Sequence, residues 1–150
     1  MAEVEDEQSA PDGAIACGLA VVHPWLCDGM GHLTTRHYLA MFDDASYHLF
    51  AALGYDSLAA EWQGIGWADV RHEIEYKGEL QSGALVTIDG KVTMLGNSSL
   101  STSFRLYQLG ETRPRATLAG RTVCFDLEAR RSRPLPDFFV ERARARFTLL

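Results

Sequence analysis

The sequence predicts an α+β domain in which an antiparallel sheet curls around one long helix. Three observations carry the prediction. Tyr38, Phe42, Ala45, Leu49 and Leu53 recur at i, i+4 and i+3 spacing, the stripe of a packed helix, and Leu39, Met41 and Phe50 widen the apolar surface beyond it. From Trp67 onward the apolar period falls from 3.6 to 2, the signature of strands. A single sheet with one polar face must bury its other face, and only this helix is long and apolar enough to receive it.

Taken in order, residues 1–13 (MAEVEDEQSAPDG) are acidic, small and aperiodic, and are expected to form a disordered tail ahead of a single domain over residues 14–150. Ile15 to Val22 reads as a strand that Pro24 stops. A polar loop follows, then the helix from Thr35 to Leu53, with Thr34 or Thr35 as its N-cap and Gly54 suited to C′. Asp56 to Gln63 offers one helical turn, capped by Asp56 or Ser57, before the Gly64-Ile65-Gly66 break. In the next strand Ala68, Val70, His72, Ile74 and Tyr76 share one face, with Asp69, Arg71, Glu73 and Glu75 on the other. Val86, Ile88, Val92 and Met94 form a second alternating face, with Gly90 between them. After a Gly96-Asn97 turn come Leu100, Thr102, Phe104 and Leu106, then a final strand from Ala116 to Leu127. Pro134 and Pro136 end the sheet, and Asp137 is placed to cap a basic C-terminal helix from Phe138 to Arg146.

Composition narrows the function. A net charge of −6 argues against a nucleic-acid backbone as partner, because phosphate binding needs a basic surface. No apolar run approaches the roughly 18 residues of a membrane span, and the N-terminus lacks the basic and apolar regions of a signal peptide. Cys17, Cys27 and Cys124 form no CxxC and no even framework, which fits a reducing cytoplasm. The chemistry-bearing residues gather instead in the loop: His23, Cys27, Asp28 and His32 stand just before the start of the helix. A helix N-terminus carries unpaired N–H groups and partial positive charge, so an acid and a histidine face a ready electrophile-polarising element.

The run Cys27-Asp28-Gly29-Met30-Gly31-His32-Leu33, followed by Tyr38 and Phe42-Asp43, resembles the hotdog-fold acyl thioesterases, most closely the 4-hydroxybenzoyl-CoA thioesterase branch. Asp28, Gly31 and Tyr38 fill the places of that branch's aspartate, glycine and helix tyrosine. The similarity continues through Asp69 to Tyr76, Gly83, Ser98-Ser99-Leu100 and Arg133-Pro134-Leu135-Pro136. It implies a hotdog fold and a homodimer or dimer of dimers with sites at the subunit interface. It also implies an acyl-CoA or acyl-carrier-protein thioester as substrate, with no cofactor and no metal. By position it makes Asp28 the nucleophile or general base and the Thr35 amide the oxyanion donor. His32 matches the histidine of plant carrier-protein thioesterases, although Met30 stands at their asparagine place. Trp25, Met30, Gly31, Tyr47 and Trp67 are expected to line an apolar or aromatic acyl pocket, and Asn97 and Ser98 to occupy the CoA-contacting turn. The basic pair that holds CoA phosphates in some relatives is absent there, which turns attention to Arg130, Arg131 and Arg133.

Other readings of the same residues stay open. Asp28 can be an Asx-turn residue and His32 a loop residue bonded to a backbone carbonyl. Asp43, on the helix, is the reserve carboxylate. His72 reads as a core histidine, and Glu73 and Glu75 as a solvated edge. His23, Cys27, Asp28 and His32 together suit zinc in donor type, but their spacing matches no compact zinc pattern. A hotdog domain that binds acyl-CoA as a sensor without hydrolysing it is the alternative to an enzyme.

Overall fold

The structure, a computed structural model, describes residues 12–150. The expected tail therefore lies outside the described residues except for Asp12 and Gly13, and Asp12 pairs with Lys91 and Arg105 on the outer face of the sheet. The elements are β1 (Ile15–Val21), α1 (Thr35–Ala52), β2 (Ile65–Tyr76), β3 (Leu85–Leu95), β4 (Ser99–Gln108), β5 (Ala116–Asp126), β6 (Arg131–Ser132) and α2 (Asp137–Arg146). Short 3₁₀ turns occupy Pro24–Leu26 and Ala60–Trp62. All strand pairings are antiparallel, in the order β1-β3-β4-β5-β2, with the two-residue β6 attached to β5. This is the hotdog arrangement: a curled sheet with α1 in its concave face. No helix among the described residues is long and apolar enough to cross a membrane.

Side-chain alternation explains the curl. Val86, Ile88 and Val92 of β3, Leu100, Phe104 and Leu106 of β4, and Ala116, Leu118 and Cys124 of β5 are all buried on the face that meets α1. The helix answers with Tyr38, Phe42, Ala45, Leu49 and Leu53, each buried, so its predicted stripe is the core. Leu39 and Tyr47, outside the stripe, stay exposed. Gly90 is forced by this packing, because a Cβ there would stand 2.5 Å from Cδ1 of Phe104. At the C-terminus of α1, Gly54 adopts φ +99°, with Gly54 N–H donating to the Ala51 carbonyl and Tyr55 N–H to that of Phe50. That is the Schellman closure the sequence offered.

Four details differ from the sequence reading. In β3 the register with β4 slips between Val92 and Met94, so Met94 lies opposite Ser101 and is exposed, off the face it was expected to share with Val86, Ile88 and Val92. Thr34 holds the N-cap position of α1 but its hydroxyl makes no cap bond. Asp137 is the first helical residue of α2, with Pro136 at the cap. The largest difference is in β2, where the register with β5 slips between Asp69 and Arg71 and leaves Val70 as an extra, unpaired residue. Such a bulge reverses the alternation beyond it. Trp67 and Asp69 lie opposite the buried Cys124 and Thr122, whereas His72 and Ile74 lie opposite Gly120 and Leu118. The inward set is therefore Trp67, Asp69, His72, Ile74 and Tyr76. Ala68 and Val70 do not belong to it, and Val70 is exposed. His72 is not a core histidine but sits partly exposed on the inner face at the sheet's edge.

Leu49 has no exposed surface, so Leu49→Ala leaves a cavity and is expected to cost about 2–5 kcal/mol in urea unfolding. Gly90→Ala should likewise destabilise, because the added methyl must displace the Phe104 ring.

Candidate active site

The loop between β1 and α1 is held at both ends. Leu33 N–H bonds the Leu80 carbonyl at 2.8 Å, Thr34 N–H bonds that of Leu26 at 3.0 Å, and Cys27 bridges to Leu33. Between these ties the chain turns back on itself at Asp28-Gly29-Met30-Gly31, where Asp28 N–H donates to the His32 carbonyl and Gly31 N–H to that of Asp28. Gly31 takes φ +79°, which favours glycine. Asp28 organises this turn through one oxygen: Oδ1 accepts from the Met30 amide at 2.9 Å and the His32 amide at 3.2 Å. The Asx-turn reading of the residue is what these bonds show. One carboxylate oxygen holds the turn, and among the described residues Oδ2 accepts no hydrogen bond.

Beside this turn α1 begins open. With no cap from Thr34 and no acidic residue in the first turn, the leading amides of Thr35 and Arg36 keep their N–H groups, while His37 N–H bonds the Thr34 carbonyl at 3.0 Å. An uncapped helix start is a directed donor site with partial positive charge. His32 turns to Glu79, with Nε2 3.2 Å from Oε2. Glu79 was not singled out in the sequence, since the contact depends on how residues 79–82 lie beside the turn through the Leu33–Leu80, His32–Gln81 and Gly31–Ser82 ties.

The metal reading loses its geometry. His23 stacks on Trp25 with ring centroids 4.4 Å apart, Cys27 donates its S–H to the His23 carbonyl, and His32 faces Glu79. No three potential ligand side chains converge on one point among the described residues.

The residues expected to contact substrate divide into groups. Trp25, Met30 and Gly31 share the loop with Asp28, and Trp25 and Met30 are 74% and 75% exposed, an apolar lip with no cover in one protomer. Tyr47 is three turns along α1, about 18 Å from the helix start, and lines a separate cavity of about 300 Å³ with Cys17, Met41, Asp44 and His48. Cys17 itself is inert there, its thiol pushed up to about 12 by burial and by the charge of Asp89. Trp67 packs against Phe50, Tyr55 and Phe139, with its indole N–H unpartnered. Asn97 and Ser98 form the β3–β4 turn and use their carbonyls to accept from Leu135 and Cys124. Arg121 reaches the same turn by donating to Ser99 Oγ at 3.2 Å.

A second polar group lies between α1 and β2. Thr122, buried in β5, donates its hydroxyl to Asp69 Oδ1 at 2.7 Å, and Asp69 Oδ2 is 3.8 Å from His72 Nε2. Asp43 faces them from the helix. Its carboxyl is raised above the usual range by burial first, then by the negative charges of Asp69 and Asp44, with His72 opposing.

Residues 22–143 match the thioesterase-like superfamily. The chain belongs to that superfamily. Its fold recurs in solved structures of the group. A thioesterase from Thermus thermophilus, solved with coenzyme A and zinc, is 26% identical with a TM-score of 0.71, over 87% of this chain and 93% of that one. A 1,4-dihydroxy-2-naphthoyl-CoA thioesterase from Synechocystis is 16% identical with a TM-score of 0.73, over 84% and 93%. A Staphylococcus aureus protein solved in complex with CoA is 17% identical with a TM-score of 0.78, over 85% and 80%. No curated protein matches the sequence. Within the superfamily fold, this chain has a helix start with no side-chain cap and, in the loop just before it, the Asp28 turn.

Because Asp28 Oδ1 serves two amides, Asp28→Ala should destabilise the protein by about 1–3 kcal/mol. Asp28→Asn retains that acceptor and should unfold at nearly the same urea concentration as the parent.

Proposed function

We propose that this chain hydrolyses an acyl thioester of CoA or of an acyl carrier protein. The observation that carries the reading is the pairing of an uncapped α1 start with a carboxylate whose Oδ2 is uncommitted. Thioester hydrolysis needs an oxygen nucleophile or a base for water, and a donor for the oxygen that becomes negative. Asp28 supplies the first, as nucleophile or general base, and the Thr35 amide the second. His32, held by Glu79, orients the carboxylate or the water. Trp25 and Met30 cover the acyl group, and Asn97 and Ser98 meet the carrier arm, with Arg130, Arg131 and Arg133 as the nearby cations for its phosphates.

The working form is a homodimer or a dimer of dimers. Among the described residues β2 pairs only with β5, so its other edge is open, and an open edge is a template for a second strand. Val70 and Tyr76 on that strand and Leu39 and Tyr47 on α1 are exposed apolar groups that pairing would cover. Light scattering should return a mass of at least twice 16.6 kDa; a mass of one chain would contradict the assembly.

A second reading makes Asp43 the reacting carboxylate, favoured by a carboxyl held above its usual range by desolvation and by the negative charges of Asp69 and Asp44. The two readings separate in one experiment, thiol release from a panel of acyl-CoAs by Asp28→Asn and Asp43→Asn. Under the first reading Asp28→Asn loses turnover while still binding substrate, and Asp43→Asn retains it; the converse selects the helix carboxylate. Thr35→Ala should change the rate little, since the donor is main chain. Thr35→Pro removes that N–H at a position where proline suits a helix, and should lower the rate about 10²–10³-fold. His32→Ala should cost less than Asp28→Asn, within the 10²–10⁴ or so of orienting and acid–base roles. A chain that binds acyl-CoA and releases no thiol from any member of the panel would be a sensor and not an enzyme.

A further inference from the structure

A second copy of the chain that pairs with the open edge of β2 can do so in only a few registers. A two-fold axis perpendicular to the sheet sets the two strands antiparallel and keeps both copies of α1 on one face. Residues opposed across such a pair point to the same side, so inward residues must meet inward ones. The inward set of β2 is Trp67, Asp69, His72, Ile74 and Tyr76, and beyond the bulge the outward set is Arg71, Glu73 and Glu75.

Charge separates the registers. Along the strand Arg71 Nη2 lies 3.2 Å from Glu73 Oε2, and both side chains are largely exposed. On its inner flank Arg71 stands opposite Arg121 of β5. An axis at Arg71 would therefore line up four arginines in one row, Arg121 and Arg71 of each copy. An axis at Glu73 sets that residue against the partner's Glu73, and an axis at Ile74 sets it against the partner's Glu75. Like charges directly opposed are destabilising. An axis at His72 avoids them. Arg71 then meets the partner's Glu73, and Glu73 meets the partner's Arg71. With the ion pair along each strand these four charges close an alternating square, each flanked by two of opposite sign. Within β2, every other in-phase centre either opposes like charges or brings no opposite charges together.

We propose that two copies of this chain pair along β2 in the register whose two-fold axis passes between His72 and the partner's His72. The proposal rests on the edge-paired assembly above and is independent of whether the chain hydrolyses a thioester. The bulge suits this register. If the partner strand skips Val70 as β5 does, Asp69 meets the partner's Ile74 and Trp67 the partner's Tyr76, so the pairing stays in phase over most of β2.

Cross-linking and charge exchange on the full chain test it. A Cys27→Ser background leaves only the buried Cys17 and Cys124 among the native thiols. In it, His72→Cys treated with oxidised glutathione should give a disulfide-linked dimer, because residues opposed at the axis stand about 4.5–5.5 Å apart at Cα, within disulfide reach. Glu73→Cys should not, since its two copies lie diagonally, about 7–8 Å apart. Arg71→Glu and Glu73→Arg should each raise the dimer dissociation constant roughly tenfold in sedimentation equilibrium. The double variant rebuilds the square with its signs exchanged and should return to the parent value. With the axis at Glu73, by contrast, the double variant would recover nothing over Arg71→Glu. A linked His72→Cys together with that recovery supports the register. A two-chain mass in which His72→Cys fails to link, or in which the double variant recovers nothing, overturns the register while the dimer itself stands. A one-chain mass for the parent overturns the dimer and the register together.

Discussion

Burial of α1 is the constraint on which the rest of this structure depends. The helix carries large apolar side chains around much of its circumference, and water is removed from them only if the sheet wraps rather than lies flat. Wrapping is what the bulges in β1, β2 and β3 permit, since each bends and twists its strand. It also fixes the position of the helix start. Once Tyr38, Phe42, Ala45, Leu49 and Leu53 are seated, the N-terminal amides must emerge at the rim of the sheet, where the Asp28 turn and residues 79–82 meet them.

The rim is also where ordinary stabilising choices have been left out. A threonine stands at the N-cap without using its hydroxyl, no acid sits in the first turn, and one aspartate oxygen has no protein partner. A side-chain cap at such a place is typically worth about 1 kcal/mol. Leaving it out leaves the first amides of α1 without a side-chain acceptor, to be met by water or by an outside group. Trp25 and Met30 follow the same logic, as apolar surface exposed beside the turn and covered by nothing in a single protomer.

Local features were legible in the sequence to the extent that they depend on neighbours along the chain. The α1 stripe, the Gly54 closure, the 3.6-to-2 change of period and the Gly96-Asn97 turn are all short-range patterns, and each is found where the residues place it. The turn-forming side of Asp28 was legible for the same reason. What escaped depends on pairing across the sheet. The Val70 bulge is a property of β2 against β5, so alternation read from one strand put Asp69 outward and Val70 inward. The two-residue β6 is too short to show a period, and the His32–Glu79 contact joins segments that meet only in the folded chain. Isolation of Asp28 from Tyr47 likewise follows from helix rise, which spacing along a stripe does not reveal.

The bulge bears on why polar groups stand in the α1–β2 cleft at all. Thr102 and Thr122 are the only buried polar residues among those described, so the concave face is otherwise built to exclude such groups. Valine has nearly the shape of threonine, and a strand without the extra residue would put only one of Asp69 and His72 inside. Asp69 keeps its carboxylate exposed to solvent while it accepts the hydroxyl of buried Thr122 at 2.7 Å, so the pair satisfies a buried polar group from the rim of the sheet. The aromatic contacts on either side, Tyr38 with Tyr76 and Phe50 with Trp67, supply the packing between α1 and β2. The open β2 edge alongside makes these polar groups reachable from outside the protomer, by solvent or by a second copy of the chain.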